Sequence, residues 1–493
     1  MATVETIPSC TDTERPVRKD APTAMRPSAV AADIATLGTG TLLAGLFNVA
    51  LVFVVPKLAS VEDYGYWRTF GLYAGYVGFL HFGFADGALL RWAGRPIAEF
   101  HHEIWPAMKY LFWQHVAVLA PLGALVALIP EGRLRFVGFG VIICALIFNE
   151  MTLLQFGLQS ARAFRPVAIS VVAAPAAFLG FLLLCHLKWH SDYRQLVECY
   201  LGGYVVVLAF LLGWTKPWKA SPVGLPIIAF AKKCVTTGWP IVIANTGVIL
   251  IVFADRLAVS WAASIQDFAQ YSLAANAMSV PITVIQACSK VFFSHLAGAH
   301  PERRRQVYGV SSRMLLIAWV ILLPYYFVLD AFIRHVLPKY VASLAYARIL
   351  LLGIPFFAVI QILQMSYTYL NGRQKQFLTQ TVAILCLSLS FTAVAAFRAG
   401  SLQIVAGVQV AILGGWWFLN EWSLRRLTGE RRRDWGKFLA VYGLACAGYC
   451  MITAWSGHGR PGLWLLGYYV AMGAVLTPVC RRDIRLLNEI RGW

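Results

Sequence analysis

Charge is what this chain has least of. Asp, Glu, Lys and Arg together make up 13% of its 493 residues, about half the share usual in a soluble globular domain. Acids are the scarcer sign, 23 against 42 basic residues. There is no CxxC pair, no phosphate-cradling P-loop, no GxSxG elbow and no HExxH, so the nucleotide-hydrolase, serine-hydrolase and zinc-peptidase readings have no residues to stand on. Of the ten cysteines, eight (Cys144, Cys185, Cys199, Cys288, Cys386, Cys446, Cys450 and Cys480) fall in or beside apolar runs, where a thiol acts as a small hydrophobe. No metal site and no cofactor are expected.

Apolar residues are abundant. They make up 59% of the chain, the mean hydropathy is +0.65, and runs long enough to cross a bilayer recur from Ala35–Val55 to Leu463–Val479. A spanning helix needs about 20 such residues, and strands of outer-membrane barrels are shorter and alternating. Fourteen runs fit, so the expected fold is an all-α polytopic membrane protein. The loops between them on the side away from the termini are too short for an external catalytic domain, which disfavours a membrane glycosyltransferase or polymerase. With an even number of spans, most of the 42 Lys and Arg fall on the side of the two termini, which the positive-inside rule makes cytoplasmic. The net charge of +19 is therefore accounted for by topology and anionic headgroups, with no nucleic acid partner. The histidines His101 and His102, between Glu99 and Glu103, read as part of a solvated loop. Residues 1–33 lack the apolar core of a signal peptide and read as a disordered cytoplasmic tail.

An internal repeat organises the rest. VPKLASVEDYGYWRTF after the first span and ADRLAVSWAASIQDFAQYSLA after the seventh both give a cation, Leu-Ala, an acid and an aromatic pair. This pairs Lys57 with Arg256, with five extra residues in the second copy. The expected organisation is helices 1–6 in 34–214, an inter-lobe linker in 215–237, helices 7–12 in 238–424, and helices 13–14 with a C-terminal tail in 425–493. Repeats of this kind surround a central site in transporters.

GTGTLLAGLFNVALVFVVPKLASVEDYGYW, followed by GFADGALLRWAGRP, resembles the amino-terminal half of the polysaccharide transport family, the flippases of O-antigen and exopolysaccharide repeat units. GWPIVIANTGVILIVFADRLAVSWAASIQDFAQYSLAANAMSVPITVIQAC resembles the start of that family's second lobe. The resemblance implies the fold of the multidrug/oligosaccharidyl-lipid/polysaccharide exporters, two facing six-helix lobes with two further helices. It implies a polyisoprenyl-pyrophosphate-linked oligosaccharide as substrate, turned across the bacterial inner membrane by alternating access, and a polymerase and glycosyltransferases as pathway partners. A sodium- or proton-coupled exporter of small molecules is the alternative within that superfamily.

Candidate site residues follow from the few polar groups inside apolar runs. Lys57, Arg68, Arg91, Arg256 and Lys290 could compensate an anion, or snorkel to headgroups from helix ends. Asn48, Asn245, Asn276 and Gln361 could bond sugar hydroxyls or join helices, as could Asn149, Gln155 and Gln364. Asp86 and Arg91 are expected to pair at the end of span two, where Gly83 and Gly87 permit close helix contact. Glu150, with no cation within a turn, is the candidate for ion coupling.

Overall fold

The computed structural model describes residues 27–187, 192–219, 226–278, 325–398, 400–428, 443–453 and 465–473, with isolated positions between 279 and 324. Residues 1–26, Lys290, Arg303–Arg305 and Arg431–Arg433 lie outside the described residues. The described chain is helical and contains no strand. In order come α1 (Pro27–Leu58), α2 (Val61–Ala74), α3 (Phe84–Trp92), α4 (Ile97–Ala127), α5 (Gly132–Ser160), α6 (Phe164–His186), α7 (Tyr193–Thr215), α8 (Ile227–Ala262) and α9 (Ile265–Ala277). There follow α10 (Tyr325–Val336), α11 (Ser343–Leu350), α12 (Ile354–Val359), α13 (Met365–Leu370), α14 (Gln374–Arg398), α15 (Leu402–Thr428), α16 (Gly443–Thr453) and α17 at 465–473.

The protein is an all-α, multi-pass membrane protein. Nine helical stretches among the described residues are long and apolar enough to cross a membrane. Their outer faces carry bare hydrophobes such as Leu46, Trp113 and Leu187, which in water would be a liability and in lipid are the required surface. Polar groups are turned inward: His115 and Asn149 are 0% exposed and Asp255 2%. Helix begins at Pro27, so the backbone of 27–33 is helical where the sequence suggested a tail. The second part of the expected linker is likewise helical, since α8 starts at Ile227.

The helices sort by packing into two sets. In one, α1 and α7 pack on α6, and α5 contacts α2, α3, α4 and α7. In the other, α14 and α15 pack on α8, and α11 and α12 on α15. The sets meet along α3 with α8 and α2 with α9. Glycine explains how closely. A Cβ at Gly87 would lie 1.9 Å from the Cys234 carbonyl oxygen, one at Gly238 1.9 Å from the Gly83 carbonyl oxygen, and one at Gly65 2.4 Å from the Ile265 carbonyl oxygen. The small-residue stripe seen in GFADGALL is thus a backbone-to-backbone contact between the sets.

The second span is broken. After α2 the chain makes a 3-10 turn (Val77–His81), and Phe82 and Gly83 take left-handed backbone angles (φ 49° and 81°) before α3 begins. A break inside the membrane frees carbonyls that lipid cannot satisfy. Here neighbouring side chains do: Gln114 of α4 donates to the Leu80 carbonyl at 3.1 Å, and Asn149 of α5 to that of Val77 at 3.0 Å. The span from Ser343 to Leu370 is also irregular, with a 3-10 turn (Leu351–Gly353) and a π turn (Ile360–Gln364) that holds Gln361.

Candidate functional site between the helix sets

The repeat read in the sequence has a physical counterpart at the starts of α2 and α9. Ser60 Oγ accepts from the Asp63 amide at 3.0 Å, and Ser264 Oγ from the Asp267 amide at 3.1 Å. These are the same N-cap with the same acid in the first turn. In each copy one residue separates the preceding helix from the capping serine, since α1 ends at Leu58 and α8 at Ala262. The caps therefore align the copies without a gap, which corrects the pairing of Lys57 with Arg256. Lys57 is equivalent to Trp261, and Arg256 to Val52. Five residues of helix are about 7.5 Å of rise, so Arg256 sits correspondingly deeper than Lys57.

That depth decides the environment. Lys57 is exposed in the last turn of α1 and lines neither cavity described below. Arg256 is 8% exposed, its Nη2 donates to the Ala275 carbonyl at 2.9 Å, and its guanidinium lies over the Phe253 ring at 4.3 Å. Its Nη1 reaches Asn276 Oδ1 at 3.3 Å, and Arg68 Nη2, from the other helix set, reaches the same oxygen at 2.9 Å. Asn276 Nδ2 in turn faces Tyr64 Oη at 3.3 Å. Two guanidiniums from two halves thus converge on one neutral amide oxygen. The Nε of each is buried with no hydrogen-bond partner, and neither has a carboxylate within ion-pair distance among the described residues. Asp255, next to Arg256, directs its carboxylate instead to the Tyr271 hydroxyl (2.7 Å) and to the Arg256 backbone amide (2.8 Å).

Arg68 and Gly71 are shared by two cavities. The first, about 590 Å³, is walled by Asn48, Tyr64, Trp67, Gln155, Tyr200 and Tyr204, among others. The second, about 550 Å³, is walled by Arg256, Asn276, Phe357, Gln361 and Met365, among others. Asn48 thus lines the first cavity, and Asn276 and Gln361 the second. Gln155, which also lines the first cavity, donates to Ser170 Oγ at 2.9 Å. Asn245 stands on α8, its side chain outside the described residues. Gln364 turns into the bundle, its Nε2 donating to the Trp417 carbonyl and to Glu421, and it lines neither cavity.

Two expectations fail. Asp86 and Arg91 do not pair: Asp86 lies 3.5 Å from His81 Nε2, and Arg91 packs over the Phe230 ring at 4.9 Å. Five residues apart on a helix, they point well away from each other, whereas three or four would align them. The Glu99–Glu103 segment is not a solvated loop but the first turns of α4, where buried Glu103 accepts from Trp92 Nε1 at 2.8 Å and His101 Nε2 lies 2.7 Å from the Thr215 carbonyl. Glu150 is 8% exposed, and neither of its carboxyl oxygens has a hydrogen-bond partner among the described residues.

The ends of the contact between the sets differ in kind. Where α3 meets α8, Trp239 packs against Phe79 and Phe82 over the glycine contact. Where α2 meets α9, Lys339 bonds the Lys57 and Ala59 carbonyls at the end of α1, Gln270 Nε2 donates to the Lys339 carbonyl at 2.8 Å, and the Tyr64 and Tyr340 rings meet edge to face. Although Lys339 is exposed, partial desolvation at this seam lowers the pKa of its ammonium.

No protein-family model and no curated protein matches this chain. Solved structures do. A MOP superfamily transporter from Pyrococcus furiosus Vc1, described as having a binding pocket of reversed polarity, superposes with TM-score 0.51 at 12% identity, covering 80% of this chain and 96% of its own. An outward-facing multidrug resistance transporter of the MATE family gives the same values. A MATE transporter in complex with MaL6 gives TM-score 0.52 at 12% identity over 81% and 97%. At this identity the likeness is one of fold: the chain has the fold of MOP superfamily transporters.

Proposed function

We propose that this protein is a membrane exporter that turns a lipid-anchored, pyrophosphate-linked saccharide across the bilayer by exposing the site between its two helix sets to each side alternately. The observation that carries this reading is the convergence of Arg68 and Arg256 on the Asn276 oxygen. Two guanidiniums, Arg256 buried and Arg68 half-buried, with no carboxylate at ion-pair distance among the described residues, repel one another in a low-dielectric site, and the neighbouring Asp255 carboxylate opposes this at Arg256. An anion with several oxygens relieves that repulsion and supplies acceptors for the two idle Nε–H groups, a geometry suited to phosphate oxygens.

The walls on either side fit what such an anion would carry. Trp67, Tyr200 and Tyr204 offer aromatic surface, and Asn48, Gln155 and Gln361 offer amides to hydroxyl-bearing rings. The glycine contact lies at one end of the seam between the sets and the Lys339 contact at the other, and alternating access would require each to open in turn. A second reading, export of small molecules coupled to protons or sodium, draws on the unpartnered carboxyl of Glu150.

The discriminating experiment is reconstitution into proteoliposomes carrying a fluorescent polyisoprenyl-pyrophosphate disaccharide, with an organic dye cation as the competing cargo. Protein-dependent flipping of the saccharide lipid that falls at least tenfold in Arg256→Gln supports the proposal. Dye export with no saccharide-lipid flipping would replace it with the second reading.

A further inference from the structure

The break in the second span is held by a group that can change its hydrogen-bonding character. His115 of α4 is 0% exposed. Its Nδ1 lies 2.7 Å from the Leu111 carbonyl, an acceptor, so Nδ1 carries the proton and Nε2 is left as an acceptor. That lone pair faces Asn149 Nδ2 at 2.9 Å. The same Nδ2 reaches the Val77 carbonyl of the 3-10 turn at 3.0 Å and the Ala145 carbonyl at 2.9 Å, so its two N–H are shared among three acceptors. Two carbonyl oxygens facing it fix which end of the amide is nitrogen. Asn149 Oδ1, meanwhile, is buried with no partner.

We propose that His115 and Asn149 form a proton-responsive latch on the broken second span: a proton taken up at His115 Nε2 releases the Val77 carbonyl and frees the hinge between Arg68 and the Gly83–Gly87 contact. The chemistry follows from donor and acceptor counts. A proton from water adds to Nε2, and no other covalent bond changes. Nε2–H then meets the Asn149 amide N–H₂, donor against donor. Turning the amide over puts Oδ1 against Nε2–H, and it gives up the bonds that Nδ2 made to the Val77 and Ala145 carbonyls. The Val77 carbonyl belongs to a turn already set off by the left-handed Phe82 and Gly83.

The place of the latch gives it leverage. On one side of the turn α2 carries Arg68, and on the other α3 carries the two glycines pressed on α8. Near the break the other ionisable groups are His81 and Asp86, 3.5 Å apart, and Glu150 on α5; further away lie Arg91 on α3, Arg133 and Arg135 at the start of α5, Glu99, His101, His102, Glu103 and Lys109 in the first half of α4, and Lys232, Lys233, Asp255 and Arg256 on α8. His81 Nδ1 accepts from the Gly83 amide at 3.0 Å, so its proton sits on the nitrogen that faces Asp86. His115 directs a lone pair at a side chain that itself supports the turn. The inference concerns how the span moves and is independent of the cargo.

Hydrogen–deuterium exchange of the full chain in lipid nanodiscs, without cargo, tests it. Exchange times are scaled for the intrinsic rate at about pH 8 and about pH 5, the range over which histidine changes charge. The wild type should lose protection at residues 75–84 at the lower pH, exchanging tenfold faster or more, while α6 and α7 do not change. His115→Gln keeps a donor for Leu111 and an acceptor for Asn149 but binds no proton, so it should stay protected at both values. His81→Gln should still respond. Equal wild-type protection at both pH values would overturn the latch, as would a response that persists in His115→Gln. If His115→Gln does not fold, specific ¹⁵N-histidine labelling of the wild type decides: a His115 ring that stays neutral at the lower pH while 75–84 opens refutes the role.

Discussion

The two ends of the contact between the helix sets are built of opposite materials. Where α3 meets α8, Gly83, Gly87 and Gly238 bring backbones so near that an added Cβ would fall within 1.9–2.3 Å of a main-chain atom. Where α2 meets α9, one glycine contact at Gly65 is supplemented by the reach of Lys339, Gln270 and the Tyr64–Tyr340 ring pair. A backbone contact has no rotamers and either fits or does not. Long side chains let go one bond at a time. The comparison teaches that the glycine end acts as a rigid seat and the lysine end as a releasable clasp.

The hardest blow to that comparison falls on the seat. Gly238→Val or Gly87→Val should abolish transport, and should cost about 3 kcal/mol or more of stability where helices must spread to admit the side chain. Gly180→Ala, at a site with no atom within 4 Å, should be silent. Thermal unfolding in nanodiscs and the flipping assay measure both. Equal tolerance at the two positions would remove the seat from the account.

Next in size is the charge between the ends. Arg256→Gln and Arg68→Gln should each lower flipping at least tenfold, with the double variant little worse than either, because both arginines serve one anion. Additive losses in the same assay would mean that they act separately. Arg256→Lys should recover part of the rate, since charge is kept and the fork lost.

Releasing the clasp should do less. Lys339 is exposed, and bonds of this kind are worth about 0–1 kcal/mol, so Lys339→Met should change flipping two- to threefold at most. It should also raise the reactivity of a cysteine introduced at Gln270 toward a water-soluble thiol reagent. A seat-sized loss would erase the distinction between the ends. Smallest of all, Lys57→Gln should leave the flipping rate within twofold of wild type, because that side chain is exposed and away from both cavity walls. A tenfold loss there would restore its place beside Arg256.

The sequence by itself determined that this chain lives in a membrane as a bundle of helices, because 59% apolar residues in runs of spanning length leave no other way to satisfy the backbone. It also showed the glycine stripe of the second span, whereas the paired serine caps, a local property of Ser-x-x-Asp, came out only with the helix ends. It named Arg68, Arg256, Asn276 and Gln361, since polar groups in apolar runs are conspicuous. What it could not determine was which of them meet. Arg68 and Asn276 are 208 positions apart, and only the packing of α2 on α9 makes them neighbours. Register inside α8 decided that Arg256 is buried while Lys57 is not, and helical angle separated Asp86 from Arg91. His115, an inconspicuous histidine in span three, acquires its role only because the fold sets it against Asn149 and a broken turn. Composition and period act over a few residues and are read directly, whereas contact, depth and hydrogen-bond partner depend on helices that meet from distant parts of the chain.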